Sequence, residues 1–215
     1  MTSTHPSLEV LAGYASGTIS EGRQIFVSAH LNFCSKCRRD VSTLESIGGE
    51  ILRCNSVLPV SEKPSLKKTM RAIERLESQS SPNTEGTSIV GGKFPSIINN
   101  LIGSSSEKVA WRFRLPGIYD YPIANRDGED IYLLKADPGA HILQHTHEGE
   151  EATLVLCGKM KDKELVLSRG DVSFVDEKHT HKPEIIGNET CICLVVMSGK
   201  LKFTGRFTRA LNYLS

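Results

Sequence analysis

A histidine and two cysteines lie close together early in the chain, in the segment HLNFCSKC. His30, Cys34 and Cys37 are spaced i, i+4 and i+7, so on a helix they share one face and can converge on one point. Nitrogen and sulfur are the donors that zinc prefers, and a closed tetrahedral site needs four of them. His5 is the one other histidine among the first eighty residues, so it is the candidate for the fourth ligand.

The Cys34-x-x-Cys37 spacing has two other interpretations, a redox-active pair and two surface cysteines beside an incidental histidine. Redox pairs of the thioredoxin type lie in a βαβ unit, whereas this part of the chain is predicted to be helical. The histidine one turn upstream and the lone His5 also favour a metal. The favoured interpretation is a structural zinc site formed by His5, His30, Cys34 and Cys37, whose binding energy would help a small domain to fold.

A second group of possible ligands lies in the other half of the chain. His145 and His147 are two residues apart, so on a β-strand both side chains point to the same face. Glu151 follows after a short turn and would come alongside from the next strand, and a further histidine follows at 181 or 179. Three imidazoles and a carboxylate suit zinc, iron, manganese or nickel. The alternative is a set of polar residues at the rim of a barrel, with no metal.

Helices are the elements that would position the first group. Apolar residues recur with the helical period after Pro6 and again after Pro64, and Gly17 and Ser20 mark the end of one helix and the start of the next. Another apolar stripe continues beyond the cysteines. The three stripes contain Leu8, Leu11, Ala12 and Ala15, then Val41, Leu44, Gly48 and Ile51, then Leu66, Met70, Ile73 and Leu76.

The composition changes after these helices. Residues 77–88, ESQSSPNTEGTS, are polar and have no periodicity, which predicts a linker. Apart from a possible short helix in PSIINNLI, the remainder is predicted to form short strands separated by turns, as in a β-sandwich or barrel. The candidate strands are 108–115, 130–136, 152–157, 163–168, 171–175 and 191–197. The sequence thus predicts an α+β chain with a helical domain over 1–80, a linker over 81–104 and an all-β domain over 105–215.

Composition also restricts the classes of function. The 215 residues carry a net charge of +1, so no basic excess indicates binding to nucleic acid. The N-terminus lacks the pattern of a signal peptide, and the longest apolar run, CICLVVM at 191–197, is too short to span a bilayer. These features predict a cytoplasmic protein with no membrane segment. Cytoplasmic cysteines seldom form disulfides, and Cys157, Cys191 and Cys193 are expected to be small buried side chains rather than sensor thiols.

Both groups of residues resemble known motifs. His5 followed by His30-x₃-Cys34-x₂-Cys37 in a short helical domain resembles the zinc-binding anti-sigma domain of bacterial regulators. The segment GAHILQHTHEGEEATLVLCG, residues 139–158, is similar to the first cupin motif, G-x₅-H-x-H-x₃-E-x₆-G, at every fixed position.

The second cupin motif is matched more loosely. Counting from Gly170, its histidine falls on His181, while Asp176 and Lys178 stand where proline and glycine are usual. The resemblance implies an antiparallel jelly-roll barrel in which a divalent transition metal, zinc or another, is held by the ligands His145, His147, Glu151 and His181.

Joined in one chain, the two parts resemble the ChrR-type anti-sigma factors. The resemblance implies that the helical domain binds and silences an extracytoplasmic-function sigma factor, its partner in the cell. It further implies that the cupin responds to singlet oxygen or organic peroxides, after which the sigma factor is released. The expected protein is a regulator of transcription in the oxidative stress response, with no catalytic residues and no direct contact with nucleic acid or membrane.

Two other classes stay open. A cupin with three histidines and a glutamate is also typical of metal-dependent dioxygenases and isomerases, with the helical half then localising the enzyme. The other class is a redox-responsive regulator that binds DNA through its helices, which the absence of a basic recognition helix disfavours.

Overall fold

The computed structural model describes residues 4–54, 66–77, 94–103 and 109–205. Helices come first in these residues and strands second. The helices are α1 Leu8–Ser16, α2 Glu21–Leu31, α3 Ser35–Cys54, α4 Leu66–Glu77 and α5 Ser96–Ile102. The strands are β1 Arg112–Leu115, β2 Ile118–Arg126, β3 Glu129–Ala136, β4 His145–His147, β5 Glu151–Cys157, β6 Lys159–Asp162, β7 Leu165–Ser168, β8 Val172–Val175, β9 Glu184–Ile185, β10 Cys191–Ser198 and β11 Leu201–Phe203.

Local signals explain where the first two helices begin and end. The side chain of Ser7 accepts a hydrogen bond from the backbone N–H of Val10, and that of Ser20 accepts one from Arg23, so each serine caps a helix. Gly17 ends α1 in the left-handed conformation, with a φ of 70°, which a residue with a Cβ adopts at a cost. The turn at Gly17 separates α1 from α2.

The strands form an antiparallel barrel of the jelly-roll type. Six strands form one sheet in the order β1-β2-β3-β10-β5-β8, and two smaller sheets have the orders β11-β4 and β7-β6-β9. Every strand pairing is antiparallel. The predicted α+β class, with helices first and a cupin barrel second, is therefore confirmed.

Helix α2 joins the helical part to the outer face of the large sheet. Phe26, Val27 and Ala29 are completely buried in one apolar cluster that also contains residues of β3, β5 and β10. The ring of Phe26 meets that of Phe174 edge to face, with 5.5 Å between the centroids. At the N-terminus of α2, Ser20 Oγ donates to the buried carboxylate of Glu129 over 2.6 Å. Helices and barrel thus share one core.

The segment predicted as a linker, 81–104, contains helix α5. Phe94, Ile98 and Ile102 are buried in the shared core, where α5 packs against α2. Two isoleucines four residues apart lie on the same side of a helix, which explains this burial. Residues 78–93 and 104–108 lie outside the described residues, so the division into domains stays a prediction. Among the described helices, none is long and apolar enough to cross a membrane.

Candidate metal centres

The first group of predicted ligands is assembled by α1, α2 and α3. His30 lies in the last turn of α2, Cys34 in the turn that follows, and Cys37 in the first turn of α3. His5 precedes α1, which packs against α3 and brings the histidine to the two cysteines. One ligand atom from each of the four residues lies within 4.8 Å of all the others.

The distances in this group suit tetrahedral zinc. Cys34 Sγ lies 3.4 Å from His5 Nδ1, and Cys37 Sγ lies 3.7 Å from the same nitrogen. A sulfur and a nitrogen bound to one tetrahedral zinc ion lie about 3.5 Å apart. His30 Nδ1 donates to the carbonyl of Gly170 over 2.9 Å, and its buried Nε2 has no hydrogen-bond partner among the described residues. That nitrogen is therefore available as a ligand.

Burial sets the protonation of this group. Burial lowers the pKa of His30, which keeps the imidazole neutral and its lone pair free. Burial also raises the pKa of the Cys37 thiol to about 12, and a hydrogen bond with Cys34 adds to the effect. The two thiols are free, with no disulfide between them. A metal that binds here must displace the thiol protons, because the thiolate is the ligand.

The second group lies inside the barrel. His145 and His147 are on β4, and both side chains are buried because they point to the same face of the strand. His181 pairs with His145 through two backbone hydrogen bonds of 3.0 Å in an isolated β-bridge. Ligand atoms of the three histidines lie within 4.8 Å of one another.

The geometry of the three imidazoles suits a metal ion. His147 Nε2 and His181 Nε2 are 3.1 Å apart. Two nitrogens bound at about 2.1 Å to adjacent positions of one metal lie about 3.0–3.4 Å apart. His145 donates from Nδ1 to the carbonyl of Leu143 over 2.6 Å, which leaves its Nε2 free. Three imidazole nitrogens thus converge on one point.

Glu151 lies beside the three histidines rather than within their group. Its Oε2 is 3.7 Å from His147 Nε2, and its Oε1 accepts from the Thr153 hydroxyl over 2.8 Å. Burial raises the pKa of this carboxyl group. The structure therefore brings three of the four predicted ligands together and places the fourth residue next to them.

The structure places His181 and His179 in different surroundings. His181 is buried among the other imidazoles, whereas His179 is exposed and pairs with the carboxylate of Asp176 over 2.7 Å. His141 is also exposed, near Glu184. Sequence spacing favoured His181, and the structure places that residue, not His179, in the group.

Asp162 is a residue of this site that sequence reasoning missed. It ends β6 and is buried, and its Oδ2 accepts a hydrogen bond from His181 Nδ1 over 2.8 Å. Histidines that bind metals commonly donate their other ring nitrogen to a carboxylate, which fixes the tautomer. Asp162 lies in the polar run KDKE, where nothing in the sequence distinguishes a buried carboxylate from a surface charge.

Burial also holds two of the barrel imidazoles, His145 and His147, in the neutral form. It lowers the pKa of His145 to about 4 and that of His147 to about 3, and the neighbouring imidazoles add to both effects. Near neutral pH both rings are therefore uncharged and able to bind a cation.

A cavity of about 660 Å³ opens next to this group, with His145 and Glu151 on its wall. Most of its remaining wall is apolar, including Leu134, Val195 and Met197. Cys191 and Cys193 also line it, with 3.7 Å between their sulfurs, and both are buried as the sequence predicted. A volume of this size suits a small organic molecule.

The fold and the two groups define a helical domain with two histidines and two cysteines, packed on a cupin barrel with three inward histidines. The model of the ChrR cupin-like domain matches residues 101–201. The anti-sigma-E factor ChrR of Cereibacter sphaeroides is 30% identical over 200 residues, which cover 93% of this chain and 91% of that protein. The chain belongs to the family of ChrR-type anti-sigma factors.

A solved structure shares the same architecture. In the crystal structure of Rhodobacter sphaeroides SigE in complex with the anti-sigma factor ChrR, the matching chain superposes with a TM-score of 0.72 and 26% identity. The match covers 90% of this chain and 98% of that one. The likeness therefore extends over helices and barrel together.

Proposed function

We propose that this chain is an anti-sigma factor, which binds an extracytoplasmic-function sigma factor and keeps it from RNA polymerase. In this proposal the helical domain, organised by zinc at His5, His30, Cys34 and Cys37, provides the binding surface. The barrel senses an oxidative signal, singlet oxygen or an organic peroxide, and the sigma factor is then released. The single observation that carries the proposal is membership of the ChrR family over nearly the whole chain.

Two apolar helix surfaces support the binding role. In α4, Leu66, Met70 and Ile73 lie on one side, and all three are exposed. Basic residues occupy much of the rest of this helix, so it is strongly amphipathic. An amphipathic helix with an uncovered apolar side binds into a groove of a partner in many complexes.

The second half of α3 provides the other apolar surface. Val41 is buried against the other helices, whereas Ile47, Ile51 and Leu52 are exposed. Zinc would fix the start of α3, because Cys37 lies in its first turn. We infer that the metal orients the exposed half of α3 for its partner.

The barrel supplies the sensing part of the proposal. A metal held by His145, His147 and His181 would provide a Lewis-acidic or redox-active centre. Burial keeps the imidazoles of His145 and His147 neutral, and Asp162 holds His181 with Nδ1 protonated. The largely apolar cavity wall would admit a small organic molecule to His145 and Glu151.

Co-purification tests the binding role. The full chain, co-expressed with an extracytoplasmic-function sigma factor of its own organism, should elute as a one-to-one complex in size-exclusion chromatography. Adding the chain should also suppress transcription from promoters that depend on this sigma factor. If no such sigma factor binds the zinc-loaded chain, the proposed function is wrong.

Release is tested separately from binding. The double substitution His145→Ala, His147→Ala should leave the affinity for the sigma factor unchanged and abolish release by singlet oxygen or an organic hydroperoxide. A double variant that still releases the sigma factor normally would show that the barrel metal is not the sensor.

A cupin enzyme is the second candidate function, and the cavity beside the histidines favours it. A metal-dependent dioxygenase or isomerase needs a chamber for the substrate next to its metal. Metal-dependent turnover of a small molecule by the purified chain, with no sigma factor bound, would support this candidate over the first.

A further inference from the structure

The first metal group touches the barrel directly. His30 Nδ1 donates to the carbonyl of Gly170, in the turn between β7 and β8, and both groups are buried. Two residues further on, the backbone N–H of Val172 donates to the carbonyl of Thr4 over 3.3 Å. Thr4 immediately precedes His5, so both histidines of the group are next to contacts with one turn of the barrel.

The approach of this turn requires a glycine at position 170. Gly170 has a φ of 92°, and a Cβ on it would lie 2.7 Å from the Cβ of Phe33. Phe33 itself stands between His30 and Cys34, and the guanidinium of Arg169 lies over its ring at 5.1 Å from the centroid. The turn 169–172 is therefore packed against the loop that carries the ligands.

We propose that the barrel completes the first metal centre, with the carbonyl of Gly170 as a positioning group for His30. A carbonyl can only accept, so the hydrogen bond keeps the proton on Nδ1 and leaves Nε2 free for zinc. This inference rests on the proposed zinc site. Its consequence is reciprocal: if docking of the turn strengthens zinc binding, zinc must strengthen docking of the turn by the same factor.

The same turn lies one short strand away from the second metal group. Strand β8 begins at Val172, and its last residue, Val175, pairs with Glu151 at the start of β5. Four residues of extended chain therefore separate the contact with the first group from the carboxylate beside the second.

Substitution of Gly170 tests the proposal in the full chain. Gly170→Ala should weaken zinc binding at the helical site about 10–100-fold, the usual effect of losing the partner of a metal-bound histidine. Gly187→Ala is the matched control, because Gly187 also has a positive φ, 84°, and nothing lies within 4 Å of its Cβ position. Both glycine substitutions are made in a chain that also carries His145→Ala and His147→Ala, which remove two ligands of the barrel group. The zinc affinity of each chain is measured by competition with a chromophoric zinc chelator.

Hydrogen exchange provides a second measurement that needs no glycine variant. Removing zinc from the same double-alanine background should speed exchange of the Val172 amide, which is bonded to Thr4. The Asp137 amide, which donates to Gly117 over 2.8 Å elsewhere in the barrel, should not change.

Different results would overturn the role of Gly170 and the proposed zinc site. Equal zinc affinities of the Gly170→Ala and Gly187→Ala chains overturn the inference, as does a Val172 amide that does not respond to zinc. If Gly170→Ala does not fold, the exchange measurement alone decides. If the background chain binds no zinc at all, the proposed zinc site itself is wrong.

Discussion

Two aspartate–histidine pairs of similar length occupy opposite environments at the residue scale. Asp162 and His181 are buried in the barrel, 2.8 Å apart, while Asp176 and His179 are exposed, 2.7 Å apart. In the buried pair the carboxylate fixes which nitrogen of His181 carries the proton. In the exposed pair water can replace the partner, so the pair is worth little.

Asp162→Asn should therefore weaken metal binding in the barrel about 10–100-fold, because the amide holds the imidazole less firmly. Asp176→Asn should leave the affinity unchanged. Titration with cobalt, followed by its visible absorption, measures both variants in one assay. Equal affinities for the two variants would falsify the role given to Asp162.

The buried imidazoles predict a pH dependence of stability in the metal-free chain. An unfolded histidine has a pKa near 6.5, whereas the folded pKa is about 4 for His145 and about 3 for His147. Between pH 6.5 and 4 the unfolded chain binds protons that the folded chain does not. The free energy of unfolding therefore has its full value above pH 6.5. It decreases as the pH falls below 6.5, by up to about 1.4 kcal/mol per pH unit for each histidine.

Urea unfolding of the metal-free chain at pH 7, 6 and 5 measures this slope. His147→Gln removes one of the titrating imidazoles, so the stability of this variant should fall less steeply over the same range. A slope that the substitution leaves unchanged would contradict the assignment of the pH dependence to these histidines.

At the scale of elements, α4 is the helix whose apolar side most needs a partner. Met70 is 47% exposed on this side, and Val166 on β7 is 48% exposed on the barrel. Met70→Asp should weaken sigma-factor binding at least about tenfold, the effect of losing an apolar anchor at an interface. Val166→Asp should not change binding, although it places the same charge on an equally exposed apolar residue.

Isothermal titration with the purified sigma factor compares the two variants with the unsubstituted chain. Circular dichroism checks that helix content is retained in both. Equal binding by the Met70→Asp and unsubstituted chains would place the sigma-factor surface elsewhere than on α4.

The elements differ in how well their sequences predict them. The strands β3, β5 and β10 lie at the centre of the sheet and each contains at least four consecutive apolar or aromatic residues. Their predicted bounds agree with the structure within one residue. The sequence does not predict strand β2. Pro122 interrupts its apolar pattern, at a position where the register with β3 shifts. Asp120 places a charge on its inner side, where the carboxylate pairs with two arginines. Its pairing depends on neighbours that the local sequence does not reveal.

The two candidate sites show the same contrast. Ligand spacing on one helix face or one strand is a local property, so His145 and His147, or Cys34 and Cys37, are visible in the sequence. Asp162 and Gly170 act through contacts with residues far away in the chain. Such contacts follow from the tertiary fold, which no local pattern encodes.

At the scale of the whole molecule, the shared core decides how the chain unfolds. Two independent domains joined by a linker would unfold in two transitions, whereas α2 and the barrel bury their side chains in one cluster. We therefore expect the zinc-loaded chain to unfold in one calorimetric transition that includes α2 and the sheet, with equal calorimetric and van't Hoff enthalpies.

Phe26 is the residue on which this expectation can be tested most directly, because its completely buried ring lies between α2 and Phe174. Phe26→Ala should lower stability by about 3–5 kcal/mol and shift the whole transition to lower temperature, since the cavity opens in a core that both parts use. Phe113→Ala, which removes an aromatic ring that is 65% exposed, should have little effect. If Phe26→Ala instead shifts only part of the heat absorption, the helices and the barrel unfold separately, and the predicted domains are independent units.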